Sequence, residues 1–206
     1  MPPAPERSGI LYLVSGPSGS GKTTLCHRLA AAGEARYSIS CTTRPIRPDE
    51  VDGADYHFLT REDFQARAAK GDFLEHAEVH GNLYGTLKSE VLAHLAAGAD
   101  IVMDIDIRGA DLVRANPDPA IRRALLDIFI MPGDEAELER RLAGRATDSP
   151  ETIALRLKNA IVETARWPDY TYRMISRSRQ EDFERFLTLL QATRLKTALL
   201  REKTKN

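Results

Sequence analysis

Apolar residues come in short dense blocks, and longer stretches of mixed character separate them. "ILYLVS" at 10–15 and "LLDIFIM" at 125–131 are nearly unbroken apolar runs of strand length, and "DIVMDID" at 100–106 sets Ile101, Val102, Met103 and Ile105 among aspartates. That is the pattern of strands buried on both faces. "YSISC" at 37–41 and "YRMIS" at 172–176 are shorter strand candidates. The stretches 22–33, 87–98, 134–142 and 150–166 carry apolar residues at helical spacing, the first ending near Gly33. Thr60, followed by Asp63 and closed by Gly71, predicts a capped helix over 60–71. Over 180–203, Phe183, Phe186, Leu187, Leu190, Leu195 and Leu199 predict one amphipathic helix. Strands alternating with helices predict an α/β fold, a parallel sheet covered by helices on both faces.

The rhythm breaks between about Tyr37 and Leu87. This segment holds "TTRPIRPDEVDGADY", with two prolines and a turn at Asp52-Gly53, then a hairpin pattern over 73–85 with Gly81-Asn82 in its turn. It reads as a subdomain inserted into one domain of 206 residues. A formal net charge of −1 argues against a non-specific nucleic-acid or membrane surface. Two cysteines outside any CxxC pair, and a start without an apolar leader, fit a reduced cytoplasmic setting. "MPPAPERSG" reads as a short disordered arm. The five histidines have no metal-ligand spacing.

Directly after the first apolar run comes "GPSGSGKTT". Glycines so dense cost backbone entropy in a strand or helix, so this is a loop between the two. It fits G-x-x-x-x-G-K-[ST] through Gly16, Gly21, Lys22 and Thr23. In such a loop backbone N–H groups turn inward around phosphate oxygens, and the following helix presents its positive end to the same anion. Lys22 adds a full charge, and the Thr23 hydroxyl is a ligand for Mg²⁺. Asp104 and Asp106, at the end of the second run, are candidate carboxylates for that region. Arg44 and Arg47, with Tyr56 downstream, suit a dianionic phosphate.

Taken together, the P-loop, "TTRPIRPDEVDGADYHF", "FLEHAEVHGNLYG" and "IVMDIDIRGA" resemble guanylate kinases in order and spacing, from about residue 10 to 176. The resemblance implies a P-loop kinase that moves a phosphoryl group from ATP to GMP with Mg²⁺, within purine metabolism. It implies a core (8–36, 87–135 and 167–206), a GMP-binding insertion (37–86) and a helical lid (136–166). Gly16, Pro17, Ser18, Gly19, Ser20, Gly21, Lys22, Thr23 and Thr24 would bind the ATP phosphates. Arg44, Arg47, Tyr56 and Tyr84 would hold the GMP phosphate, and Ser40, Glu75, Thr86 and Asp106 would read guanine. Asp104 would sit by the magnesium and phosphates. Arg141, Arg145 and Arg156 would close over the transferring group, joining Lys22 and Arg44 in catalysis.

Carboxylates suit guanine, whose N1 and N2 are donors, whereas adenine N1 is an acceptor. A catalytically silent module of the same fold would lack a working P-loop, and a kinase for a ribose bisphosphate would lack Ser40, Glu75 and Asp106. The chain departs from the family pattern at Arg108, where glutamine is usual, and at Ser176-Arg177, where Asn-Asp is common near the ATP base. Arg177 there either stacks on the base or points to solvent while backbone groups near Ser176 select the base. The first arrangement predicts weaker selectivity for ATP. Oligomeric state is not legible.

Overall fold

The run at 10–15 forms a strand because its alternate side chains each find a separate core. The computed structural model describes residues 6–79, 81–143 and 150–201. In chain order the elements are β1 (Glu6–Arg7), β2 (Leu11–Ser15), α1 (Lys22–Ala31), β3 (Arg36–Tyr37), β4 (Cys41–Thr42), β5 (His57–Phe58), α2 (Arg61–Lys70), β6 (Phe73–Val79), β7 (Asn82–Leu87), α3 (Lys88–Ala96), β8 (Ile101–Asp104), α4 (Ile107–Ala115), α5 (Pro119–Ala124), β9 (Leu125–Met131), α6 (Glu135–Ala143), α7 (Pro150–Thr164), β10 (Tyr172–Ile175), α8 (Arg179–Thr193) and β11 (Leu200–Arg201). Strand β2 is buried along its whole length. Tyr12 and Val14 pack with Leu25, Leu29, Phe186 and Leu190 of α1 and α8. Leu11 and Leu13 pack on the other face with Val91, Val113 and Ile121 of α3, α4 and α5. An apolar run is therefore required, because neither face of β2 meets water.

The central sheet has the order β10-β9-β2-β8-β3, and every pairing in it is parallel. The chain leaves β2 toward β3 on one side and leaves β8 toward β9 on the other. Connections that diverge in this way open a crevice at the carboxyl ends of the strands. The P-loop after β2 and Asp104 at the end of β8 share that rim.

A second sheet, β5-β4-β7-β6, lies within residues 41–87. Its own small core is Cys41, Phe64 and Phe73, with the two phenylalanine rings stacked at 4.3 Å. Thr60 caps α2 by accepting from Asp63 N, and Gly71 ends it in the left-handed region, as the spacing predicts.

Several expectations change. The strand expected over 37–41 divides: Tyr37 pairs with β8 in the central sheet, while Cys41 pairs with β5 and β7 in the second. The intervening residues carry the chain from one sheet to the other. Asn82 already pairs with Val79, so it opens β7 instead of forming the turn, and Gly81 supplies the positive φ there. The strand expected to reach residue 106 stops at Asp104, because Asp106 caps α4 by accepting from Gly109 N. Helices α4 and α5, which the apolar pattern did not announce, lie between β8 and β9.

The helix expected over 180–203 stops at Thr193. Arg194 is drawn to Asp100 (Nε to Oδ2, 2.8 Å) and to the carbonyl of Glu34 (2.6 Å). The chain then turns through 197–199 into β11, which pairs with β1. Leu199 is still buried, but Leu195 is 79% exposed. Of the expected N-terminal arm, residues 1–5 lie outside the described residues, whereas 6–9 are ordered: Glu6–Arg7 pair with β11, and Gly9 N donates to the Leu95 carbonyl.

Candidate active site

Three glycines set the shape of the P-loop. Gly16 has φ +150°, and a Cβ there would lie 2.0 Å from the carbonyl oxygen of Ile130. Gly19 and Gly21 have φ of +86° and +90°, a region that costs other residues about 1–2 kcal/mol. Gly21 is the N-cap of α1 and gives it no side-chain cap, so the first amides of the helix stay open to an anion. Ser20 N closes the turn on the carbonyl of Pro17 (3.1 Å), and Lys22 Nζ donates to the same oxygen at 3.4 Å. Ser20 Oγ is buried without a partner. An orphaned hydroxyl inside a glycine cradle fits a polyphosphate.

Two clefts meet at this loop. The first, of about 700 Å³, runs from Gly16, Ser18, Gly19, Gly21 and Thr24 toward Arg141, Glu163, Ser176, Arg177 and Asp182. The second, of about 450 Å³, is floored by Ser40, Tyr56, Glu75, Tyr84 and Asp104. Lys22, Thr23 and Asp106 line both. Thr23 Oγ1 donates to Asp104 Oδ2. This hydroxyl–carboxylate pair offers hard oxygen donors that suit Mg²⁺. No cluster of three or more His, Cys, Asp or Glu side chains gathers among the described residues. An ion here would take its other ligands from phosphates and water.

In the second cleft Glu75, Ala77 and Val79 lie on one face of β6 because strand side chains alternate. Glu75 Oε1 accepts from Thr86 Oγ1 at 2.8 Å, and Thr86 is buried. Burial pushes the Glu75 carboxyl up to about 7; Thr86 draws it down and Asp106 raises it further. The rings of Tyr56 and Tyr84 meet edge-on at 6.1 Å. Arg44 lies 5.5 Å from the Tyr56 ring and pairs with Glu50 at 2.6 Å. Glu50 also accepts from the Arg47 backbone N at 2.9 Å. The Arg47 side chain itself is exposed.

Arg141 Nε donates to Glu137 at 2.7 Å, and its Nη1 reaches Ser176 Oγ at 3.0 Å. Arg156 leaves α7 half-buried, apart from the described lining of both clefts. Arg145 lies outside the described residues. Arg108 is exposed on α4. Arg177 is exposed at the rim of the first cleft, with Glu181 at 3.6 Å.

Sequence reasoning missed Glu163, Asp182 and Glu50. Burial raises the Glu163 carboxyl, and the charge of Lys22 counters it. Each is one acid among thirty; Glu163 and Asp182 fall within no phosphate-binding pattern, whereas Glu50 stands in "TTRPIRPDEVDGADYHF" six residues from Arg44, the one signal that could have marked it.

The comparisons with known proteins fit this geometry. The guanylate kinase family model matches residues 8–193. The guanylate kinase of Alkalilimnicola ehrlichii is 46% identical over 185 residues, covering 89% of this chain and 87% of its own. That of Cereibacter sphaeroides is 42% identical, covering 92% and 89%. The crystal structure of guanylate kinase from Anaplasma phagocytophilum superposes with a TM-score of 0.73 at 29% identity, over 96% of this chain and 92% of that one. With a family match over most of its length, and relatives well above 30% identity, the chain belongs to the guanylate kinase family.

Proposed function

We propose that this chain transfers the γ-phosphoryl group of ATP to the phosphate of GMP, giving ADP and GDP. The observation that carries the reading is the meeting of two clefts at Lys22, Thr23 and Asp106, one entered through the P-loop and the other floored by Glu75 and the tyrosines. The first cleft takes ATP and the second GMP. A GMP phosphate oxygen attacks the γ-phosphorus, and the bond to the β–γ bridging oxygen breaks. The nucleophile is already an anion, so the protein's task is positioning and charge neutralisation.

The P-loop amides, Lys22 and Ser20 Oγ hold the donor phosphates. Thr23 and Asp104 hold Mg²⁺, which when bound neutralises phosphate charge. Arg44, Arg47, Tyr56 and Tyr84 hold the acceptor phosphate. Ser40, Glu75, Thr86 and Asp106 read guanine, since a carboxylate facing adenine N1 would stay unpaired at a cost of roughly 1–3 kcal/mol. The division into core, insertion (37–86) and lid (136–166) belongs to this reading, with Arg141, Arg145 and Arg156 as the lid cations. Among the described residues no helix is long and apolar enough to cross a membrane, and the reading includes a cytoplasmic enzyme acting on small molecules.

The test is a panel of nucleoside monophosphates assayed with ATP and Mg²⁺. GMP is expected to be consumed far faster than AMP, CMP or UMP; equal use of AMP would overturn the assignment. In Lys22→Ala, kcat is expected to fall by about 10²–10³ while GMP affinity changes little. Near-normal turnover would remove Lys22 from the transfer step.

A further inference from the structure

Arg141 is held by groups of the central domain as well as by its own helix. Its Nη1 donates to Ser176 Oγ at 3.0 Å and approaches the Ser20 carbonyl at 3.4 Å, while Nη2 approaches the Arg177 carbonyl at 3.3 Å. The first of these acceptors, the Ser176 hydroxyl, is set by a buried acid. Ser176 Oγ donates its single proton to Asp182 Oδ2 at 2.7 Å, and the Arg177 backbone N donates to Asp182 Oδ1 at 2.9 Å. A serine hydroxyl whose proton is committed presents only lone pairs to its other neighbours. The Ser176 oxygen is therefore fixed as an acceptor toward Arg141. The second bond holds the peptide between Ser176 and Arg177 on the same acid. Ser176 and Asp182 are buried, at 6% and 8% exposure, so water competes little for these bonds. Both residues line the donor cleft together with Arg141.

We infer that Asp182 is a positioning residue: acting through Ser176, it sets the Arg141 guanidinium in place beside the P-loop before the donor phosphates arrive. The inference rests on the reading of this cleft as the ATP site. It also gives Ser176 a role other than base reading. A hydroxyl occupied by Asp182 and Arg141 has little left for a purine edge, so position 176 governs the rate of transfer more than the choice of donor base.

A bland alternative is that Asp182 only stabilises the first turn of α8, whose positive end favours an acid there. A double-mutant cycle separates the two. Ser176→Ala, Asp182→Ala, Arg141→Ala and the two pairs that include Arg141→Ala are assayed for kcat, KM for GMP and thermal midpoint. Ser176→Thr serves as the rescue variant. Ser176→Ala and Asp182→Ala are each expected to lower kcat about tenfold, the worth of one charge-assisted hydrogen bond. Ser176→Thr should restore most of the loss, and KM for GMP should stay constant. In the Arg141→Ala background neither substitution should lower kcat further.

Losses that multiply in full in that background would overturn the inference, as would Ser176→Ala with wild-type kcat. If Asp182→Ala fails to fold, the Ser176 cycle decides alone. Wild-type protein with no ATP-dependent GMP phosphorylation would instead overturn the donor-site reading, so the two failures are distinguishable.

Discussion

Glu75 is the residue whose surroundings conflict most with its chemistry. Burial and Asp106 hold its carboxyl near 7, well above the usual carboxylate range, against the pull of the Thr86 hydroxyl. The folded protein keeps a proton there that the unfolded chain releases between about pH 4.5 and 7. Stability from this group is therefore full below that window, falls as pH rises through it and levels off above. Glu75→Gln removes the ionisation and keeps an acceptor for Thr86. Its thermal midpoint should exceed that of the wild type by an amount corresponding to about 1–3 kcal/mol at pH 8, and the gap should close toward pH 5. Function runs the other way: if guanine requires the carboxylate, wild-type KM for GMP rises as pH falls through about 7. The GMP phosphate titrates near pH 6 as well, so the informative quantity is the ratio of the wild-type profile to that of Glu75→Gln. Parallel profiles would exclude Glu75 as the titrating group. The same site was partly legible from sequence. Glu75 stands in a motif that resembles guanylate kinases, but its raised carboxyl depends on how deeply β6 is covered, which no local pattern encodes.

Among the elements, two glycines with positive φ differ in what surrounds them. Gly71 ends α2 with φ +73°, and nothing lies within 4 Å of where a Cβ would be. Gly71→Ala should cost only the backbone strain, about 1–2 kcal/mol by thermal or urea melting, with kcat and KM unchanged. At Gly16 a Cβ would overlap the Ile130 carbonyl. Gly16→Ala must push the loop away from β9, and ATP binding should be lost before the fold is. Calorimetric titration with ATP on a folded variant measures this directly, and wild-type affinity would mean that the loop tolerates the shift. Both glycines were visible as punctuation. Their different consequences depend on whether another strand passes behind them.

At the scale of the molecule, the two ends of the central sheet do different work. The carboxyl ends of β2 and β8 carry the clefts. At the opposite end Asp100, whose side chain is 2% exposed, pairs with Arg7 at 2.6 Å and Arg194 at 2.8 Å. It also accepts from Ile10 N at 2.9 Å. This acid ties both chain ends to the sheet. Asp100→Ala strands two guanidinium groups and a buried amide, and should lower stability by about 3–5 kcal/mol. Turnover at room temperature should be unchanged, because the clefts lie at the other end. A fall in kcat with an intact melting curve would show that the ends are coupled.

The sequence by itself determined the alternation of strands and helices, the P-loop, the capped helix at 60–71 and the family motifs. These are local: dense apolar runs, glycine where φ must be positive, and a capping hydroxyl each act within a few residues. Tertiary structure decided what depends on distant partners. "YSISC" is shared between two sheets because each offers its own unpaired edge. The last helix stops at Thr193 because Arg194 meets Asp100 and Glu34, remote in sequence. Asp106 caps α4 and still faces both clefts, so one side chain ends the strand and enters the site. Glu163 and Asp182 enter the first cleft only through the packing of their helices, while Glu50 meets Arg44 within one loop. Glu163 carries no local mark of Lys22, the cation it will face, and that pairing exists only after the chain has folded.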